Sequence, residues 1–393
     1  MLARPSAGLA LATLCIAFSS PASAQRQLLP DPVVQAGASA ELIDRLRADP
    51  FTYFRFINRA WTERVCEAFA DVTSPTIVRL HGDAHIEQFA LTKSAWGLGD
   101  FDDSARGPSF VDIVRFLGSI DLASRQRGWT RDRDQLWNRF FEGYRLGLSN
   151  PSFQPREPDI VRELRRHAPM TRAAYLSWGE SQMQPMDDAR SKAIVAGMEA
   201  FERLVRGGRP DLAPGYFAVK RVGWLRMGVG SASSMKVLVR VQGPTTDPDD
   251  DVLLEGKEMV NLDGVGCLET PPTPSAIRVI AGAQQLGRWK HDILAVGPTL
   301  LLPAAADRAE HWLEWWVASW EPTYREVRLD DLRSVKDLAD ISFDSGVQLG
   351  AAKVVSVRSQ ELASNTRLEQ RLRKETSTIV EELLAGWRAL AGR

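Results

Sequence analysis

The sequence predicts an α+β protein with a mainly helical lobe and a small antiparallel-sheet lobe, and three observations carry that prediction. Phe110, Ile113, Val114, Leu117 and Ile120 recur on one helical face, as do Leu136, Trp137, Phe140, Phe141 and Tyr144, and later Ile194, Met198, Phe201 and Val205. The period then drops to two, where Met235, Val237, Val239 and Val241 alternate with Lys236 and Arg240. The 393 residues, 44% hydrophobic and 25% charged, are those of an ordinary soluble globular chain large enough for two or three units. No internal repeat or low-complexity tract is present.

The N-terminus reads as a secretory signal: Arg4 gives a positive start, Ala7 to Phe18 is apolar, and Pro21-Ala-Ser-Ala24 offers an A-x-A cleavage site after Ala24. The apolar run is too short for a stable membrane anchor, so no stable membrane insertion is expected once it is removed, and the expected location is periplasmic or secreted. Loss of Arg4 takes the formal charge from −1 to −2. Neither value offers the basic surplus that a general nucleic-acid partner requires. Cys15 leaves with the signal, so Cys66 and Cys267 remain; two separately buried thiols are the expectation, with a disulfide as the alternative in an oxidising compartment.

A helical lobe spans 25–210. Ala40–Leu46 opens a helix, aromatic Pro50–Phe56 packs beneath the centre of the fold, and Trp61–Phe69 is helical. Thr76–Leu80 reads as a strand running into His81–Phe89, and Ala95–Leu98 as a strand running into Gly99–Asp103. Two acidic loops that each follow an apolar run are placed where catalytic groups tend to sit. Asp112 lies in the first turn of the next helix, where the dipole favours it or where it can hold the preceding loop. After a Pro-punctuated linker from Pro151 to Pro158 and a helix ended by Gly207–Pro210, a β lobe spans 211–270. Its runs are Tyr216–Val222, Met235–Val241 and Val252–Val260, with Met227–Ser234 between the first two. Asp247, Asp249, Asp250 and Asp251 read as a solvated hairpin tip rather than a calcium loop. From Ala276 the pattern is helical again, through Trp312–Trp316 to an amphipathic C-terminal helix, so 271–393 is expected as a helical part packing on the first lobe.

The chemistry-bearing residues add up to a phosphoryl-transfer set. Gly228, Gly230 and Ser231 between two strands leave backbone N–H groups to face phosphates, and Lys257 on a following strand supplies a compact cation. Asp83 is the candidate base or orienter of an acceptor hydroxyl. Asp100 is the candidate Mg²⁺ ligand with Gln88 as a second oxygen, since hard cations select oxygen. His81 would brace the loop, and His85 has no assigned role. A different class stays open: His81, Asp83 and His85 with Asp100, Asp102 or Asp103 is also a donor set for a transition metal, which would make a metal-dependent hydrolase. His167, His291 and His311 are scattered, and no G-x-S-x-G is present.

His81-Gly-Asp83 followed by Gln88, then Asp100-Phe-Asp-Asp103 and Asp112, resembles the loops of aminoglycoside phosphotransferases and choline-kinase-like enzymes. Pro50–Arg55, Gly82–His85, Asp100–Asp102, Gly107-Pro108, Gly228–Ser231 and Lys257-Glu258 more closely resemble the bacterial family known as domain of unknown function 2252, over most of residues 40–360. The resemblance implies a protein-kinase-like fold, apparently permuted, with the catalytic lobe before the nucleotide lobe. It implies ATP and Mg²⁺ as cofactors, a small-molecule acceptor, and Asp102 beside Gln88 and Asp100 in the metal set. The chain departs from the family at Gln88, where the family has Asn, and near Ala281, where no glutamate stands as ion-pair partner for the lysine; Glu258 and Glu269 are the carboxylates left for that role. These departures, with an exported location, set a catalytically degenerate nucleotide- or ligand-binding relative beside the active phosphotransferase.

Overall fold

The computed structural model describes residues 26–32, 35, 38–73, 75–167, 171–225, 234–269, 276–305, 309–352 and 366–392. The signal-like segment 1–24 and the loop residues Gly228, Gly230 and Ser231 lie outside the described residues. The protein is mixed α/β with several small antiparallel sheets.

The helical lobe begins with α1 (Ala40–Ala48), α2 (Pro50–Phe56) and α3 (Asn58–Ala68). Asp49 caps α2 by accepting from the Phe51 and Thr52 N–H groups, and Pro50 at the first turn gives up no helical hydrogen bond. β1 (Ile77–Leu80) then pairs with β4 (Ala105–Pro108), and the segment between them holds β2 (Phe89–Leu91) and β3 (Trp96–Leu98). α4 (Phe110–Gln126) is buried without interruption from Phe110 to Ser124, which makes it the central helix of this lobe. α5 (Arg133–Ser149), α6 (Asp159–Arg166) and α7 (Arg172–Ser181) follow.

The second unit is built on a sheet. β5 (Met183–Gln184) and α8 (Asp188–Gly208) lead into β6 (Val219–Leu225), β7 (Lys236–Val241) and β8 (Val252–Glu258). After α9 (Ile277–Leu286) come β9 (Leu294–Val296), β10 (Leu300–Leu302), β11 (His311–Leu313) and β12 (Trp315–Ser319). The six-stranded order is β5-β6-β7-β8-β12-β9, antiparallel throughout. Ile194, Met198 and Phe201 of α8 pack on Val237, Val239, Leu254, Trp315 and Val317 of this sheet. The chain then returns through β13 (Arg325–Glu326) to α10 (Val335–Ala351) and α11 (Thr366–Ala391), whose apolar faces complete the core of the first lobe.

Three expectations are corrected. Leu294–Val296, Leu300–Leu302, His311–Leu313 and Trp315–Ser319, expected within a helical part, are the strands β9 to β12: Trp315–Ser319 lies between β8 and β9 and is buried on both faces, so its apolar residues run on without the alternation that marks a half-exposed strand. Cys66 and Cys267, expected as separate thiols, are joined in a disulfide with Cα atoms 5.4 Å apart. Asp251, expected at a solvated tip, is fully buried and accepts from Lys220 Nζ and Arg240 Nε, both at 2.6 Å. The cysteines pair across 201 residues, and Asp251 is buried by cross-strand partners on β6 and β7, neither of which local patterning reveals.

Candidate functional site

β1 delivers His81 at its end, and the first acidic loop is held from three sides. Asp112, in the first turn of α4, accepts from the His81 and Gly82 N–H groups at 3.0 and 2.9 Å, so of its two expected roles the loop-holding one is seen. Asn58 of α3 donates to the Gly82 carbonyl at 3.1 Å. His81 Nδ1 accepts from the Asp83 N–H at 3.3 Å, which leaves the proton on Nε2, and Nε2 donates to the Gly99 carbonyl at 2.7 Å. Gly99 in turn donates its N–H to the Gln88 carbonyl at 2.8 Å. His81 and Gly99 therefore tie the two acidic loops together.

Asp83 is 8% exposed, and Arg115 of α4 grips its Oδ1 through Nε at 2.9 Å and Nη2 at 2.8 Å. Gln88 Nε2 donates to Asp83 Oδ2 at 3.2 Å. Burial alone would raise the Asp83 pKa, but the Arg115 charge, with His85 beside it, outweighs burial and holds the carboxyl below its usual range. Arg115 also donates to the Phe54 carbonyl at 3.0 Å and lies 3.5 Å over the Phe54 ring, so the aromatic α2 segment supports the site as expected. His85 is fully buried edge-on to Phe51 and Phe54, with Nε2 3.4 Å from Asp83 Oδ2 but outside hydrogen-bond geometry. Burial lowers its pKa to about 4 against the opposing pull of Asp83.

The second loop meets the sheet. Lys257 of β8, 6% exposed, donates from Nζ to Asp100 Oδ1 at 3.0 Å and to Asp102 Oδ2 at 3.1 Å, with Trp316 beneath it at 5.1 Å. These residues are about 155 positions apart in the chain, separated by 157 and 155 places. Asp100 has φ of 56°, the left-handed conformation, which costs a non-glycine residue on the order of 1 kcal/mol or more and persists where the surroundings impose it. Burial would raise the Asp100 pKa, but Lys257 and Lys236 reverse the shift and hold it low. Asp102, by burial and by the Asp100 charge, is pushed up to about 7, and Asp103 likewise to about 7 by burial and by Asp83. Asp102 Oδ1 is buried with no hydrogen-bond partner.

Arg278 of α9 holds this loop through its backbone, donating to the Asp102 and Ser104 carbonyls at 2.6 and 2.8 Å and to the Val260 carbonyl at 2.7 Å. Arg115 and Arg278 belong to no motif of the sequence. The available signal was a charged residue set in an apolar helical run: Arg115 stands between Val114 and Phe116, and Arg278 between Ile277 and Val279.

The structure thus brings His81, Asp83, Gln88, Asp100, Asp102 and Lys257 into one region. Gly228, Gly230 and Ser231 lie outside the described residues, but the strands on either side are seen: β6 ends at Leu225, β7 begins at Lys236, and Lys236 is the cross-strand partner of Lys257. The connection therefore leaves and re-enters the sheet at the Lys257 end. Neither expected glutamate serves Lys257: Glu258 accepts from the Met235 N–H at 2.8 Å, and Glu269 pairs with Arg106 at 2.8 Å. The transition-metal set would need ring nitrogens of His81 that are both in hydrogen bonds here. Among the described residues, no three His, Cys, Asp or Glu side chains stand together in a metal-holding group.

The fold and site define a buried lysine–carboxylate centre where a small antiparallel sheet meets a helical lobe. Residues 40–157 match the family described as "Uncharacterized protein conserved in bacteria (DUF2252)", a stretch that contains both acidic loops and Arg115 and stops before Lys257. No curated protein and no solved structure matches the chain. Among the described residues no helix is long and apolar enough to cross a membrane.

Proposed function

We propose that the protein is an exported phosphotransferase with a permuted kinase-like fold, moving a phosphoryl group from ATP·Mg²⁺ to a small-molecule acceptor. One observation carries the reading: Lys257 is buried on the third strand of a hairpin series whose first connection is the glycine-rich loop, and it holds Asp100 and Asp102. A kinase nucleotide lobe likewise has its lysine on the third strand, a helix next in sequence and a metal-binding Asp across the cleft, and that likeness supports the reading. Here α9 follows the lysine strand and turns an arginine, not a glutamate, toward the Asp loop.

The residues present suit Mg²⁺. Asp100, the buried unpartnered Asp102 Oδ1 and the amide oxygen of Gln88, whose nitrogen is engaged by Asp83, are all hard oxygen donors. Bound Mg²⁺ would neutralise charge on the transferring phosphates. Lys257 would then shift from the carboxylates to the nucleotide phosphates. Asp83, held low by Arg115, is a weak base and suits orienting the acceptor hydroxyl; phosphoryl transfer with a loose transition state demands little base strength.

The same ion pair favours a second reading, a binding-only relative, because Lys257 neutralises the carboxylates that a metal needs. The two are separated by measuring ADP formation and ATP affinity in the wild type and in Asp83→Ala. Turnover in the wild type that falls at least 100-fold in the variant, with affinity kept within about threefold, supports the phosphotransferase. ATP binding without turnover across an acceptor screen supports the binding-only relative.

A further inference from the structure

We propose that Gln348 of α10 is the positioning residue of the metal loop: its carboxamide clamps the backbone two residues before Asp100 and fixes where that carboxylate is presented. The proposal rests on the phosphotransferase reading. β3 is an edge strand, paired on one side with β2, and Leu98 is its last residue. On the open side, Gln348 Oε1 accepts from the Leu98 N–H at 2.7 Å and Nε2 donates to the Leu98 carbonyl at 3.1 Å. One side-chain amide thereby does what a neighbouring strand would do. Nε2 also donates to the carbonyl of Leu286 at 2.8 Å, one of the last α9 carbonyls, which lack helical partners.

Gln348 is 4% exposed, so these bonds form away from water. One turn earlier on α10, Asp344 accepts from Trp96 Nε1 at 2.5 Å and from Arg288 Nη1, so the same helix face holds the start of β3 as well. Gly97 between them has φ of 144°, and a Cβ there would fall 2.4 Å from Gln348 Oε1. The Trp-Gly-Leu-Gly-Asp order is thus shaped by the clamp. Beyond Leu98, Gly99 is fixed by Gln88 and His81, and Asp100 enters its left-handed conformation. α9 holds the loop from its other end through Arg278, so Gln348 joins the end of α9, the edge of β3 and α10 at a single buried amide.

Mg²⁺ tolerates little deviation from octahedral geometry, so a loosened Asp100 should weaken the metal more than the nucleotide. The test compares wild type with Gln348→Met, which keeps length but makes no hydrogen bond, and with Gln348→Glu, which keeps the acceptor for Leu98 N–H and loses both donations. Three quantities are read: the Mg²⁺ concentration at half-saturation of ATP binding, ATP affinity in EDTA, and amide hydrogen exchange at Leu98 and Gly99. The expected result for Gln348→Met is a rise of about 10- to 100-fold in the Mg²⁺ half-saturation. ATP affinity in EDTA should stay within about twofold, and exchange at Leu98 and Gly99 should speed at least about tenfold, with the glutamate variant intermediate. A lower melting temperature with an unchanged Mg²⁺ half-saturation would mark a merely structural role and overturn the proposal. So would unaltered exchange at Leu98. If the methionine variant does not fold, the same two outcomes are read from Gln348→Glu. A wild type that binds no ATP with Mg²⁺ removes the phosphotransferase reading and this proposal with it, a result distinct from normal binding in both variants.

Discussion

Asp83 and His85 share one buried corner and respond to acid in the same direction. Unfolded histidine takes up a proton near 6.5, whereas His85 in the fold does so only near 4, because burial penalises its cation more than Asp83 favours it. Between those values the unfolded state binds more protons. The stability contributed by neutral His85 is therefore fully present above pH 6.5 and drains away toward pH 4, on the order of 3 kcal/mol in all. Asp83, held below its usual range mainly by Arg115 against burial, adds a further loss at still lower pH. Urea unfolding at pH 7 and pH 4.5 should show a smaller acid loss in His85→Leu than in the wild type. An equal loss would mean that His85 is not the buried neutral group described here. His81, Asp83, Gln88 and Asp100 were legible in the sequence because polar side chains at strand ends have few structural reasons to cluster. Arg115, Arg278 and Gln348 were not, since each looks like an ordinary helical residue until its partner from a distant segment is in place. Gln348 and Leu98 are 250 positions apart.

α10 sets the site because its other side is locked to α5. Gly143 and Gly147 of α5 meet Gly346 and Gly350 of α10 so closely that an added Cβ at any of them would come 2.0–2.2 Å from an opposing backbone oxygen. Gly346→Ala would push the helices apart, with an expected loss of about 1–3 kcal/mol in chemical denaturation. Since Asp344 and Gln348 ride on α10, it should also lower ATP·Mg²⁺ affinity; a variant with unchanged stability would contradict the close crossing. The periodicities read from sequence located α4, α5, α8, β7 and β8 within a few residues, because each shows one face to solvent or a long regular stripe. β12 escaped because a strand buried on both faces has no alternation to detect.

At the scale of the molecule, the segment leaving the lysine strand is bound to the helical lobe. Arg59 donates to the Asn261 and Asp263 carbonyls at 3.1 and 2.6 Å, Arg106 pairs with Glu269, and Cys66 is bonded to Cys267 across a separation of 201 residues. In the chain-entropy model a bridge closing so long a loop stabilises by about 5 kcal/mol. Urea unfolding with and without dithiothreitol should therefore show a large drop in midpoint on reduction, reproduced by Cys66→Ala; no change would mean that the bond does not form. The phosphotransferase reading is tested by the melting temperature of the protein without residues 1–24, taken with ATP·Mg²⁺, with ATP and EDTA, and with Zn²⁺ or Mn²⁺ alone, in wild type, Lys257→Met and Asp100→Asn. Ligand at 100 times its Kd stabilises a folded protein by about 2.7 kcal/mol. Under the phosphotransferase reading the melting temperature rises with ATP·Mg²⁺, and the rise is lost in Lys257→Met and in Asp100→Asn while both variants remain folded. No rise with ATP·Mg²⁺, and instead a rise with Zn²⁺ or Mn²⁺ alone that His85→Ala removes, would contradict it.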